Sequence, residues 1–312
     1  MDFTLSEDQV ALREGVREFC ARRYDEDALR AQTPADVSLW HDLGELGLFG
    51  LRLAEPEGSG LGVAEAALAF EELGRALVPG PLIGSHLAAG LVDGAAEGRT
   101  VVGVIEEIAD PIVLEHPGFV TEVLVLDGST VRRVAAPTAA TAAALPVDPL
   151  TPVAELDGVP IDGDNVEASD LRGVGAVLTA AYQLGIAESA TDRSVAYAKE
   201  REQFGRPIGT FQAVKHMCAD MLVRAELAKA AVYAAAVTLD DPEVGESARS
   251  IATAKLLADE AAVLNAKAAI QVHGGMGFTW EMPLHLYLKR AWVLTTTFGT
   301  ADDHALALAD AV

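Results

Sequence analysis

Arg201-Glu202-Gln203-Phe204-Gly205-Arg206-Pro207-Ile208, followed by Phe211-Gln212, is the densest local feature of this 312-residue sequence. Gly205 and Pro207 break a long helical pattern, so two helices must meet there, one ending near Lys199 and one beginning near Phe211. Lys199, Arg201, Arg206 and Lys215 against Glu200 and Glu202 leave this 17-residue stretch at net +2, in a chain whose formal charge is −24. An arginine fork beside a helix start is what a diphosphate needs. An interhelical loop with solvated charges would show the same spacing.

Reading outward, the chain on both sides is helical. Periodicity predicts helices over Leu171 to Lys199, Phe211 to Leu239, Ser247 to Val272 and Leu284 to Leu294, rich in alanine as closely packed helices are. The third ends in a second feature, Gln271-Val272-His273-Gly274-Gly275-Met276-Gly277-Phe278-Thr279. Its glycines end the helix and let a ligand approach the backbone closely. No strand precedes it and no helix follows at once, so it is not a Rossmann loop.

The first 95 or so residues are also predicted helical. Ser6 with Gln9 makes a capping box, and a second stretch carries Trp40, Leu43 and Leu46. A loop at Glu55-Pro56-Glu57-Gly58-Ser59-Gly60 precedes a helix through Val63, Ala66, Ala67, Phe70, Leu73 and Leu77, which Pro79-Gly80-Pro81 stops. Between the helical parts, Val101 to Ile105, Val123 to Leu126 and Thr130 to Val134 read as short strands, with Asp127-Gly128 a hairpin signal. An Ala-rich loop follows around Thr138 to Leu145. The expected fold is mainly α with a small β domain: an N-terminal helical domain (1–97), a reduced central β domain (98–168) and a C-terminal four-helix bundle (169–312).

Composition narrows the function. With 23 basic against 47 acidic residues, the chain lacks the basic face that nucleic acid or an anionic membrane surface requires. Cys20 and Cys218 stand apart, with no CxxC spacing, so neither a disulfide framework nor a zinc site is expected. No secretory signal and no apolar run of spanning length are present, and the expected location is the cytoplasm. His273 has no second ligand spaced for a metal.

Together the two motifs resemble those of the acyl-CoA dehydrogenase family, as do Pro56-Glu57-Gly58-Ser59-Gly60-Leu61-Gly62 and Phe70-Glu71-Glu72-Leu73-Gly74 near the N-terminus. In that family an Arg-x-x-Phe-Gly…Gln element and a Gln-x-x-Gly-Gly-x-Gly element bind the FAD of a neighbouring subunit. The resemblance implies that Arg201 contacts the FAD pyrophosphate with Phe204 packed nearby, and that Gln212, Gln271 and the Gly275 backbone hold the ADP portion.

The chain also departs from the family. Dehydrogenation needs a carboxylate to take the α-proton of the acyl-CoA while hydride leaves the β-carbon. Where the family carries Glu-Gly-Thr, this sequence reads Phe298-Gly299-Thr300. The alternative position of that acid falls near Gly175, also without a carboxylate, and Glu281, Asp302 or Asp303 would need a rearrangement to serve. The family's flavin- and substrate-holding stretches find no match between Arg99 and Arg172, where four arginines face 13 carboxylates. The pattern resembles the truncated partner subunits of heteromeric bacterial acyl-CoA dehydrogenases, including those acting on steroid side-chain CoA thioesters. It implies a base-less chain, with no catalytic residue of its own, completing an FAD site shared across the interface. A full-length subunit would hold most of the acyl-CoA, in a heterotetramer. A self-sufficient homodimer with an unrecognised base, or a flavin-free structural partner, are the other readings.

Overall fold

The computed structural model describes residues 4–310 other than 108, 110, 129, 138, 139, 141 and 169; Thr138, Ala139 and Thr141 of the Ala-rich loop thus lie outside the described residues. The chain divides into two compact units, one of Met1–Thr33, Ala67–Val78 and Ala176–Val312, the other of Pro34–Ala66 and Pro79–Gly175.

Helices make up the first unit. α1 (Glu7–Arg23) opens with the expected capping box: Gln9 N–H donates to Ser6 Oγ at 3.1 Å and Ser6 N–H to Gln9 Oε1 at 3.0 Å. α2 (Glu26–Arg30) follows, and α4 (Val63–Ala76) supplies its residues from Ala67 onward. The bundle is α6 (Leu171–Glu200), α7 (Gln212–Asp240), α8 (Ser247–His273) and α9 (Leu284–Leu294), closed by α10 (Ala301–Asp310). Small residues let these helices approach. A Cβ on Gly185 of α6 would come within 2.6 Å of Arg75 N and nearer still to Glu71 O. One on Gly74 of α4 would come within 2.7 Å of the Tyr182 carbonyl carbon. The α4–α6 crossing is therefore backbone against backbone, a contact only glycine permits.

Lys255 and Asn265 are buried in the bundle with partners, as their desolvation requires. Lys255 is fully buried; its Nζ donates to both Asp259 oxygens at 2.8 Å and to Leu294 O at 3.1 Å, and Gln183 Nε2 donates to the same carboxylate. Asn265 joins three helices, donating to Met221 O at 2.8 Å and Thr191 Oγ1 at 3.2 Å and accepting from Arg224 Nε at 2.8 Å.

In the second unit, α3 (Val37–Glu45) buries Trp40 against Phe49 and edge-on against Phe119, with ring centroids 5.0 and 5.4 Å away. Strands β1 (Val102–Glu106), β3 (Glu122–Asp127), β4 (Thr130–Ala135) and β6 (Gly163–Val166) form a sheet in the order β1-β3-β4-β6, with β1 parallel to β3 and the other pairs antiparallel. Val123 to Leu126 are all buried, the mark of a central strand covered on both faces. Asp127 pairs with Thr130, so Asp127 of the expected hairpin signal belongs to β3, and Gly128 after it has φ +54°. β2 (Val113–Glu115) and β5 (Val153–Glu155) make a separate two-stranded ribbon. α5 (Leu82–Ala88) rests on β1, where Ser85 Oγ accepts from Val102 N–H at 3.0 Å and Gly84 leaves no room for a side chain against Val102 O.

Candidate functional site

The bundle helices α6, α7 and α8 bring the two sequence motifs together. α6 ends at Glu200, and Arg201 N–H still donates to Tyr197 O at 2.8 Å. The chain then forms a tight hairpin, β7 (Glu202–Gln203) paired with β8 (Arg206–Pro207). Its two turn residues, Phe204 and Gly205, have φ +54° and +75°, the positive pair a right-twisted two-residue hairpin demands. A phenylalanine there is unusual, since a Cβ disfavours that region. Ile208 N–H returns to Arg201 O at 2.8 Å, and a 3-10 turn (Ile208–Thr210) leads into α7.

α7 starts at Gln212, and its N-cap, Phe211, offers no side-chain acceptor. The first amides of a 29-residue helix therefore lack the usual cap, which leaves donors and the positive end of a helix dipole facing outward. Arg206 lies over the Phe211 ring, 4.3 Å from its centroid, and Phe204 meets the same ring edge-on at 6.0 Å. That stacking holds the Arg206 cation beside the helix start.

The second motif is tied to the first by a ring stack. His273, the last residue of α8, lies 4.0 Å from Tyr197 of α6 with the planes 21° apart. His273 Nδ1 sits 2.8 Å from Ala269 O; a carbonyl only accepts, so the proton is on Nδ1. Burial lowers the His273 pKa, with the Arg193 charge adding to it, and the ring stays neutral. Its role is packing, and neither Tyr197 nor the stack is legible in the sequence, because the partners lie 76 residues apart.

Beyond His273 a 3-10 turn (Gly274–Phe278) presents the glycines. They differ in what demands them. Gly274 has φ +58°, and Gly277 would clash at 2.5 Å with Ile270 O if it carried a Cβ. Gly275 has nothing within 4 Å of that position: the chain's own packing does not require a glycine there, and the space over its backbone is open. Arg201, Gln212, Gln271 and Gly275 are all exposed. Phe204 is 92% exposed, and Phe278 and Trp280 after the glycine turn are 78% and 62% exposed. Aromatic surface of that size left in water marks a place for a ligand or partner. The donor set (a guanidinium, an uncapped helix start, two amide side chains and an open glycine backbone) fits a dinucleotide diphosphate.

The positions considered for a base look different. Phe298 is 2% exposed with φ +56°, and its carbonyl accepts from His304 Nε2 at 3.0 Å. Gly175 is buried, and Glu281 and Asp302 are exposed. Asp303 is engaged in capping α10, accepting from Thr300 N–H at 2.8 Å and Thr300 Oγ1 at 2.7 Å. His41, Asp42 and Glu45 gather on α3 with potential ligand atoms within 4.8 Å of one another; two are exposed, and His41 Nδ1 sits 3.7 Å from Glu45 in an i,i+4 pair. No described helix is long and apolar enough to cross a membrane.

Two family models match this chain: the acyl-CoA dehydrogenase C-terminal domain over residues 171–312 and the N-terminal domain over residues 6–96. Among curated proteins, acyl-CoA dehydrogenase IpdE2 of Mycolicibacterium smegmatis is 36% identical over 306 residues, covering 92% of this chain and 93% of that one. Among solved structures, the Tcur3481–Tcur3483 steroid ACAD G363A variant is 26% identical with a TM-score of 0.82, covering 98% of both chains. The ChsE4–ChsE5 complex from Mycobacterium tuberculosis is 25% identical with a TM-score of 0.79, covering 99% of this chain and 98% of that one.

Proposed function

Since the chain belongs to the acyl-CoA dehydrogenase family, we propose that it serves as one subunit of a heteromeric FAD-dependent acyl-CoA dehydrogenase, supplying the ADP side of an FAD site shared across the interface. One contrast carries this reading: Arg201, Gln212, Gln271 and Gly275 stand exposed, with Gln212 opening a helix that has no side-chain cap, while Phe298 is buried where the family keeps its base. The likeness to two steroid-type or two-component assemblies favours a full-length dehydrogenase as partner, in a heterotetramer, and a steroid side-chain CoA thioester as substrate. The regions 1–97, 98–168 and 169–312 would then be the helical, reduced β and FAD-contacting parts of the subunit. We read the assembly as cytoplasmic, consistent with two free cysteines.

Bound FAD supplies the hydride acceptor. Arg201 neutralises the diphosphate with a charge-assisted hydrogen bond, and the α7 N-terminus adds its unsatisfied amides. Gln212 and Gln271 orient the ADP portion, Gly275 lets it reach the backbone, and Phe204 shields it from water. Proton abstraction from the α-carbon falls to a carboxylate of the partner, because Phe298 cannot accept a proton.

Co-expression with a full-length partner, counting flavin per chain, tests the assignment. The heteromer is expected to carry FAD and turn over acyl-CoA, and Arg201→Ala with Gln212→Ala to weaken its FAD affinity at least tenfold, the size of one lost charge-assisted contact, and so to lower its FAD content. Turnover by the isolated chain with bound FAD would favour a self-sufficient homodimer. Unchanged FAD content in the double variant would favour a flavin-free structural role.

A further inference from the structure

Where α4 crosses α6, two carboxyl groups meet inside the first unit. Glu71 of α4 is 2% exposed, and its Oε2 accepts from Tyr233 Oη of α7 at 2.8 Å. It also lies within hydrogen-bonding reach of Glu188 of α6, whose own oxygens take Arg75 Nη1 at 2.9 Å and Lys229 Nζ. The crossing leaves no slack: Gly74 and Gly185, three residues along from Glu71 and Glu188 on their helices, put the two backbones in contact. Two carboxyls held this close cannot both be ionised without a large repulsive cost, so one proton between them is the low-energy state.

The surrounding charges give the same count. α1 brings Arg13 and Arg17; α4 brings Glu72 and Arg75 beside Glu71; α6 brings Glu188 and Asp192; α7 brings Glu226, Lys229 and the Tyr233 hydroxyl. Arg17 is bidentate to Glu72 at 2.9 and 2.6 Å, and Arg75 reaches Asp192 at 2.6 Å. The buried Cys20 thiol of α1, pushed up to about 12 by burial and the Glu72 charge, stays neutral. Five carboxyls face four cations, and the cluster is neutral when one of the five keeps its proton.

We propose that the α4–α6 crossing holds one proton between Glu71 and Glu188, taken up when the chain folds, and that its loss unlatches the junction of α1, α4, α6 and α7. Glu71 is the carrier: burial, then the Glu188 charge, raise its pKa to about 8. Burial also acts to raise Glu188, but Lys229 and Arg75 outweigh it and hold that group below its ordinary value. Because Glu71 is raised, its stabilising contribution is complete below the unfolded-state value near 4.5 and is lost as pH rises to about 8. One bound proton changes the folding equilibrium about tenfold per pH unit across that window.

The test uses the full chain and Glu71→Gln, which keeps the shape and cannot ionise. The ratio of folding equilibrium constants, wild type over variant, from urea titrations is expected to fall about tenfold per pH unit between 5 and 8. The infrared carbonyl stretch of a protonated carboxylic acid should be present in the wild type at neutral pH and absent from the variant. Parallel pH profiles would overturn the proposal. If Glu71→Gln does not fold, infrared titration of the wild type decides: no protonated-carboxyl band at pH 7 that disappears as pH rises through about 8 means no held proton.

Discussion

Replacing Gly185 by alanine sets helix propensity against packing. In an open helix the change stabilises by about 1 kcal/mol, because glycine loses more backbone entropy on folding. Gly15 of α1, exposed with nothing within 4 Å of a built Cβ, should show that gain. At Gly185 the new methyl would lie 2.6 Å from Arg75 N and closer to Glu71 O, both backbone atoms that cannot swing aside. Restoring an ordinary contact of about 3.5 Å requires α4 and α6 to part by more than about 1 Å, the nearer Glu71 O setting the distance. Three links across that crossing stretch with it: Tyr182 Oη to Val78 O at 2.9 Å, Arg75 Nη1 to Glu188 Oε2 at 2.9 Å, and Arg75 Nη2 to Asp192 Oδ2 at 2.6 Å. At about 1 kcal/mol per hydrogen bond the loss is about 3 kcal/mol, so the net effect is a destabilisation of about 2 kcal/mol. Urea unfolding of the full chain, followed by far-ultraviolet circular dichroism, should therefore move in opposite directions for Gly15→Ala and Gly185→Ala. Both glycines lie in one compact unit, so both report on the same transition. A Gly185→Ala chain as stable as Gly15→Ala would mean that the helices are not packed backbone to backbone.

Breaking the buried ion pair should cost more. Lys255→Met leaves Asp259 inside the bundle without its cation, a loss of about 3–5 kcal/mol in unfolding free energy by urea titration, while Lys255→Met with Asp259→Leu should recover most of it; a single variant within about 1 kcal/mol of wild type would contradict the pairing. His86 lies fully buried in the second unit with Nδ1 at 3.1 Å from Leu48 O, and burial lowers its pKa to about 4. The unfolded chain takes up that proton below about 6.5, so this unit should lose up to about 3 kcal/mol as pH falls from 6.5 to 4 and no more below. His86→Gln should flatten that acid limb in thermal unfolding, and an unchanged limb would assign it to other groups.

The long helices are legible because their signals are local. The break at Gly205-Pro207, the alanine-rich stretches and the Ser6–Gln9 box place the start of α1, and α6 to α9 to within one or two residues. α5 is not legible: Leu82-Ile83-Gly84-Ser85-His86 has too short a period, and its glycine is explained only by the Val102 carbonyl beneath it. α10 escapes for a similar reason, since its start rests on Thr300 and Asp303 just past Phe298. The residues of the candidate site stand out in the sequence as charge and glycine clusters. What holds the helices around them does not, because Tyr197–His273, Gly74–Tyr182, Gly185–Arg75 and Lys255–Leu294 O are contacts between distant segments that no spacing announces.

The hairpin at Phe204-Gly205 bears on how quickly anything can settle on this surface. Both turn residues already occupy the left-handed region, and their strands are already paired. Arrival at Phe204 therefore requires no loop to condense, and encounter sets the rate rather than rearrangement. A phenylalanine in that conformation costs the free chain about 1–2 kcal/mol that glycine would not. Speed of encounter is thus drawn from the resting stability of the free chain, and Phe204→Gly would give a sturdier chain with a blunter hairpin tip.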